Sequence, residues 1–305
     1  MKYTNHRSFA LEQDEKDILK KFQSKFHIPK DKNNSPIIYF AGNSLGLQPV
    51  EVQQSINNEI ERWKTAAVEA HHSGDNPWYS YHELLTDSMA KIVGAKPHEV
   101  VTMNALTVNL HLLLVSFFQP NNKRKKIMIE HRAFPSDRYA VLSQLNFHNL
   151  NQKQLIEVGK NQQEYIIKTD TILEAIEQHK NELAVILIGG VNYFTGQKFE
   201  IKKITEKAHE YNIIVGFDLA HAAGNVELKL HDWNVDFAAW CSYKYLNGGP
   251  GNHGSIFIHS KHLNNPNIKR FEGWWGHNKK TRFLMPNDFD PIISAEAWQL
   301  SNPSI

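Results

Sequence analysis

The sequence predicts an α/β protein whose mostly parallel sheet is covered by helices on both faces. The first observation is an alternation: from Lys126 to Phe217, short apolar runs take turns with helical patterns. The second is the character of the runs. Ala184-Val185-Ile186-Leu187-Ile188 contains no polar residue, as a strand buried on both faces requires. The third is size, since 305 residues, 41% of them hydrophobic, can enclose one large core or a large and a small domain.

Taken in order, Leu11 to Phe26 has helical spacing with mixed charges, and Pro29 to Pro36 is a polar connector. Ile37 to Phe40 then enters Ala41-Gly42-Asn43-Ser44-Leu45-Gly46, a turn whose glycines suit backbone folding close to something. From Pro49 to about Ala70 the pattern is an amphipathic helix with Val52, Ile56, Ile60 and Trp63 on one face. Tyr79 to Val93 predicts a second helix closed by Gly94, Glu99 to Met103 a strand, and Thr107 the start of another helix. Strands follow at 126–130, 155–158, 183–188 and 213–217, separated by helices at 136–145, 169–180 and 201–211. Val235 to Cys241 is a further strand, and Phe271 to Ile305 is aromatic and irregular.

Composition excludes several classes. A net charge of +2 creates no field that calls for nucleic acid or an anionic membrane. The dense basic run Lys123-Arg124-Lys125-Lys126 reads as a solvated turn. The single cysteine, Cys241, rules out a disulfide framework and fits a reducing cytosol. No apolar stretch approaches membrane-spanning length, and the residues from Met1 lead into charged sequence, so a cytoplasmic protein is expected. Seventeen histidines invite a metal, yet there is no His-Glu-x-x-His, and the adjacent His71-His72 point different ways on any regular element. No metal site is expected.

The chemistry gathers at predicted strand ends, where ligands of such sheets bind. Lys244 lies between the strand ending at Cys241 and the cluster Gly248, Gly249, Gly251 and Gly254. An amine at the end of a buried strand is partly desolvated, which favours its neutral, nucleophilic form. Asp218 follows Ile213-Ile214-Val215-Gly216-Phe217, so its carboxylate should emerge at the same edge, positioned to hold a cationic ring nitrogen. His221, three residues on, could fix that carboxylate or cover the ring. The helix start near Thr107 offers unpaired N–H groups for phosphate, and Phe134-Pro135-Ser136-Asp137 delivers an aromatic face and a carboxyl group. Singly, each has an ordinary reading: a surface lysine, an N-cap, any helix start, a hydrophobic staple with a first-turn acid. Together they are the parts needed to hold pyridoxal phosphate.

The segments 103–112, Phe134-Pro135-Ser136-Asp137, Asp218-Leu219-Ala220-His221-Ala222, 243–251, Gly273-Trp274-Trp275-Gly276-His277 and Ser301-Asn302-Pro303 resemble the kynureninase family. That family lies in the class V branch of fold type I pyridoxal-phosphate enzymes. The resemblance spans nearly the whole chain and implies a seven-stranded sheet. It implies that Lys244 bonds covalently to the cofactor, that Asp218 pairs with its ring nitrogen with His221 beside it, and that Phe134 stacks on the ring. Asp137 would contact ring substituents, while Leu106, Thr107 and Tyr243 hold the phosphate. Tyr243 also qualifies as a proton carrier. Trp274 and Asn302 would reach the site of a neighbouring subunit, which implies a homodimer, and His71 matches a histidine near the substrate's aromatic ring.

The implied reaction is hydrolytic cleavage of L-kynurenine, or its 3-hydroxy form, to anthranilate or 3-hydroxyanthranilate and L-alanine, in tryptophan catabolism and NAD biosynthesis. The expected division is an N-terminal segment, 1–70, that contributes to a small domain and dimer contacts, then a large cofactor-binding domain, 71–305. The resemblance also implies a small C-terminal domain that in the family supplies an arginine for the substrate carboxylate, and this chain is expected to lack it. A class V aminotransferase and a non-catalytic cofactor-binding fragment are the alternatives. A cysteine desulfurase fits poorly, because Cys241 sits in a predicted strand instead of a mobile loop. Gly189 or Gly190 stands where the resemblance implies a small hydroxyl residue in some relatives.

Overall fold

In the computed structural model, which describes residues 3–160 and 165–305, seven strands form one sheet in the order β1-β7-β6-β5-β4-β2-β3. They are β1 (Val100–Thr102), β2 (Lys126–Glu130), β3 (Leu155–Val158), β4 (Leu183–Gly189), β5 (Ile214–Asp218), β6 (Phe237–Cys241) and β7 (Gly254–Ile258). Strands β3, β2, β4, β5 and β6 are mutually parallel, and β7 runs antiparallel between β6 and β1. The expected α/β architecture is therefore present. Residues Met1 and Lys2, from which the leader reading began, lie outside the described residues.

Period-two alternation along each strand sends side chains to opposite faces. Ile186 and Ile188 of β4 join Val215, Phe217 and Trp240 on one face, while Val185 and Leu187 join Ile127, Ile129 and Phe237 on the other. Helices α3 (Thr86–Val93), α6 (Thr169–His179) and α7 (Ile201–His209) cover the first face. Helices α4 (Leu106–Phe117) and α5 (Pro135–Phe147) cover the second. Gly216 of β5 makes room for this layer, because an added Cβ would collide with the Phe237 ring. That ring stacks on Phe117 of α4 at 4.7 Å.

Several predicted elements differ from what is observed: the helix expected from Tyr79 to Val93 is a 3₁₀ helix (Trp78–Leu85) followed by α3. The helix expected from Leu11 to Phe26 is split into α1 (Arg7–Lys16) and a 3₁₀ turn (Lys20–Lys25), because Asp17 is extended. The strand β7 begins at Gly254, the last residue of the glycine cluster after Lys244, and had no counterpart among the expected strands; all five of its residues are buried. Helix α2 (Val52–Ala66) has the expected apolar face, but Ile56, Ile60 and Trp63 are exposed on it, at 51%, 56% and 71%. A short helix, α8 (Ser260–Leu263), follows β7.

Asp236, just ahead of β6, ties several of these layers together. One of its carboxylate oxygens accepts the Val215 N–H and meets His209 Nε2, each at 2.8 Å, and the other meets His262 Nε2 and Lys261 Nζ, also at 2.8 Å. Burial works against the charge, but the hydrogen bonds from His209 and His262 outweigh it and hold the carboxyl group below its ordinary range. Removing it would leave these donors without their acceptor, so Asp236→Ala should cost about 3 kcal/mol of unfolding free energy. Because its folded-state pKa lies below the unfolded one, the contribution is complete above about pH 4 and fades as pH falls through the folded value. Denaturant titrations of the two proteins at neutral and acidic pH check this: their difference should shrink in acid, and a constant difference would contradict it.

Candidate active site

The carboxyl ends of β2, β4, β5 and β6 surround a cavity of about 170 Å³. Leu106, Thr107, Phe134, Asp137, Asp218, His221, Tyr243 and Lys244 all line it, so eight of the eleven residues singled out from the sequence are brought together. Trp274, Asn302 and His71 are not among its lining. Instead, Trp274 packs on Trp275 and Phe283, and His71 sits edge-on to Trp78.

Lys244 lies three residues beyond β6, in the bend that carries the chain toward β7. Its Nζ is 2.7 Å from His221 Nε2 and about equidistant from the Phe134 and Tyr243 rings, at 5.9 and 6.0 Å to their centroids. Gly46 lets the glycine turn near the N-terminus pack against this bend. Its N–H donates to the Tyr243 carbonyl at 2.8 Å, and an added Cβ would collide with the Lys244 carbonyl and the Asn247 side chain.

His221 is where the geometry departs from the sequence reading. Its hydrogen bond goes to Lys244, not to Asp218, because the tight turn after β5 swings the imidazole toward the amine while Asp218 Oδ1 is already capped by the Ala220 N–H at 2.7 Å. Burial, reinforced by the neighbouring amine, holds His221 down at about 4, so at neutral pH it is uncharged and accepts a hydrogen bond from Lys244.

Asp218 is the last residue of β5, and Asp137 lies in the first turn of α5 facing it. Both carboxyl groups are buried and hydrogen bonded to each other, and burial pushes both upward. Asp137, which also faces Glu130, keeps the proton of the pair, leaving Asp218 as the anion. Burial pushes the Tyr243 phenol up to about 12, so it remains a donor. The same cause raises the Cys241 thiol, which is buried in β6 and unsuited to act as a nucleophile.

On the opposite side, α4 begins at Leu106, one residue before the expected start. No side chain caps it: Ala105 is the N-cap, so its first N–H groups are directed at the cavity wall formed by Leu106 and Thr107. Asn104 makes this possible by taking a left-handed conformation, φ 46°, and Asn109 pins the turn by donating to the Met103 carbonyl at 2.7 Å. These residues fit pyridoxal phosphate on an observation of their own: Asp137 Oδ1 is buried without a hydrogen-bond partner, in a wall that also holds an anion, an amine and an uncapped helix start.

Sequence reasoning missed Glu130, Tyr193 and Ser136, which also line the cavity. For Glu130 a signal existed, since it ends an apolar strand as Asp218 does.

A family model described as "Aminotransferase class-V" matches residues 38–267. A protein named kynureninase from Myxococcus xanthus is 50% identical over 304 residues, covering 99% of this chain and 71% of that protein. Among solved structures, the cysteine desulfurase CsdA from Escherichia coli superposes with a TM-score of 0.72 at 16% identity, covering 93% of this chain and 67% of that one. A C-DES lysine mutant with glycine covalently linked to its PLP cofactor gives 0.68 at 14% identity, over 87% and 66%. At these identities the structural matches speak for the fold.

Crowding carboxyl groups in a cavity costs stability when nothing cationic fills it. A carboxyl group whose folded pKa is raised destabilises the fold above its unfolded pKa, so Asp137→Asn should stabilise the cofactor-free chain at neutral pH by about 1 kcal/mol. Thermal unfolding of the cofactor-free proteins should show the variant melting about 2–4 °C higher; a lower melting temperature would contradict the electrostatic reading.

Proposed function

The chain belongs to the kynureninase family, and from that premise we propose that the Lys244 cavity holds pyridoxal phosphate and is the place where L-kynurenine is cleaved to anthranilate and L-alanine. The observation that carries the assignment is the meeting of Lys244 with neutral His221 at 2.7 Å beside the buried pair Asp137 and Asp218. When bound, the cofactor supplies an electron sink for charge developing at the substrate's α-carbon.

Each residue then has a task. Lys244 is the covalent anchor and, once released, the base that takes the α-proton; His221, uncharged and within hydrogen-bond distance of Nζ, accepts a hydrogen bond from the amine and orients it. Asp218, with Asp137 beside it in the cavity wall, would pair with the ring nitrogen and keep it protonated. Phe134, 44% exposed, offers its face to the ring, and Tyr193 buttresses it edge-on at 5.2 Å. The α4 start with Leu106 and Thr107 takes the phosphate dianion, assisted by the Tyr243 hydroxyl. A phenol held near 12 stays protonated, which suits Tyr243 to hold the phosphate as a hydrogen-bond donor.

We further propose a cytoplasmic homodimer in which residues 1–70 supply subunit contacts and 71–305 form the cofactor domain. The exposed face of α2, with Ile56, Ile60 and Trp63, supports this, as does the position of Trp274, Asn302 and His71 outside the cavity of their own chain, from where they would serve the neighbouring one. No helix of the described residues is long and apolar enough to cross a membrane. The choice between kynurenine and its 3-hydroxy form falls to Asn302 and His71 in this reading.

Lys244→Ala should abolish anthranilate release, a loss of at least about 10⁴-fold, and with it the absorbance of covalently held cofactor. Anthranilate fluorescence and an absorbance spectrum of the two proteins check this; retention of either signal in the variant would contradict the assignment. Accumulation of aminated cofactor with an amino donor, in place of anthranilate, would favour an aminotransferase.

A further inference from the structure

Glu130 is the one carboxyl group of the cavity to which the mechanism gives no task. It ends β2, is 3% exposed, and its Oε1 accepts the N–H of Gly189, the last residue of β4, at 3.2 Å. Gly189 stands in register with Asp218 on β5, and the next N–H, that of Gly190, donates to the Asp218 carbonyl at 2.7 Å. A side chain at position 189 would place its Cβ 3.0 Å from Glu130 Oε1, so the glycine and the glutamate fit as a pair.

The surroundings of Glu130 are poor in cations. Asp218 from β5 and Asp137 from α5 both face it. The Lys244 amine bonds to His221 and its charge acts on Asp218 and Asp137, Tyr243 is a phenol, and no cation is among the groups acting on Glu130. On the β3 side, Glu157 is occupied by Arg138 and Lys160. The hydrogen bonds to Glu130 come from backbone N–H groups alone, its own and that of Gly189. A fully buried carboxylate beside the Asp218 anion, with no cation in contact, is costly, whereas a neutral carboxylic acid is not. Burial pushes Glu130 up to about 7, in agreement with the geometry.

We infer that Glu130 is a positioning residue for the cavity: it stands uncharged behind Asp218, holds the ends of β2 and β4 together, and leaves Asp218 as the carboxylate that faces the ring nitrogen. This rests on the reading of the cavity as the cofactor site, but its protonation can be measured without cofactor. With one carboxyl proton retained on Glu130 and one on Asp137, the three carboxyl groups carry a single negative charge, which the entering ring cation neutralises.

The test uses the full chain labelled with ¹³C at glutamate side-chain carboxyls, followed by infrared spectroscopy between about pH 5 and 9. In the cofactor-free protein a protonated-carboxyl band should persist at pH 6, where exposed glutamates are ionised, fade as pH rises through about 7, and be missing from E130Q. Absence of that band in the wild-type chain at pH 6 would overturn the inference, whether or not the variant folds. With pyridoxal phosphate added, E130Q, which mimics the neutral acid, should bind within about twofold of wild type, while E130A should bind at least about tenfold more weakly. Equal losses in both variants would show that a carboxylate is required and would also overturn it. If pyridoxal phosphate binds to neither variant nor wild type, the cofactor assignment fails while the infrared result on Glu130 stands.

Discussion

One constraint governs this molecule: β2, β4, β5 and β6 run the same way and therefore end at the same edge. What each strand delivers there is polar, although the strands themselves are apolar and buried. Glu130, Asp218 and, three residues past β6, Lys244 emerge within one small cavity, and the helix following β2 adds Asp137 and Phe134. Such a gathering is unfavourable until something cationic and phosphorylated fills it. Backbone N–H groups are directed at Asp218 and Glu130, and burial favours the protonated form of the carboxyl groups and the neutral form of the histidine next to the amine.

Glycines set the distances. Gly216 lets β5 lie under the Phe237 ring, Gly189 leaves room for Glu130, and Gly46 brings the N-terminal turn onto the backbone of the Lys244 bend. The apolar sheet and the polar edge thus depend on the same positions, where a single methyl group would shift a strand end by a few tenths of an ångström or more. That coupling links the packing of β4 to the electrostatics of Asp218.

Much of the parallel core was legible because periodicity is a property of the residues themselves. The runs at 126–130 and 155–158 have the predicted bounds, and β4 and β5 each extend one residue further at their carboxyl ends, to Gly189 and Asp218. β7 escaped because Gly248, Gly249, Pro250 and Gly251 read as loop and masked the five-residue strand behind them. Its pairing with β1, over 150 residues away, is a tertiary event that no local pattern reports. At the site, Lys244, Asp218 and the α4 start could be placed at one edge from topology alone. The partner of His221 could not, since the choice between Asp218 and Lys244 is made by the path of a turn. Glu130 ends an apolar strand as Asp218 does, but a strand-terminal acid usually faces water, and its burial is what sets it apart.

The central claim is that Lys244 is the residue this fold was built to present to pyridoxal phosphate. The most direct measurement loads the chain with the cofactor, traps the covalent adduct by borohydride reduction, and locates it by peptide mass spectrometry. The account predicts a single modified peptide, the one containing Tyr243-Lys244-Tyr245. A modified lysine elsewhere, or no stable adduct at any lysine, would contradict it.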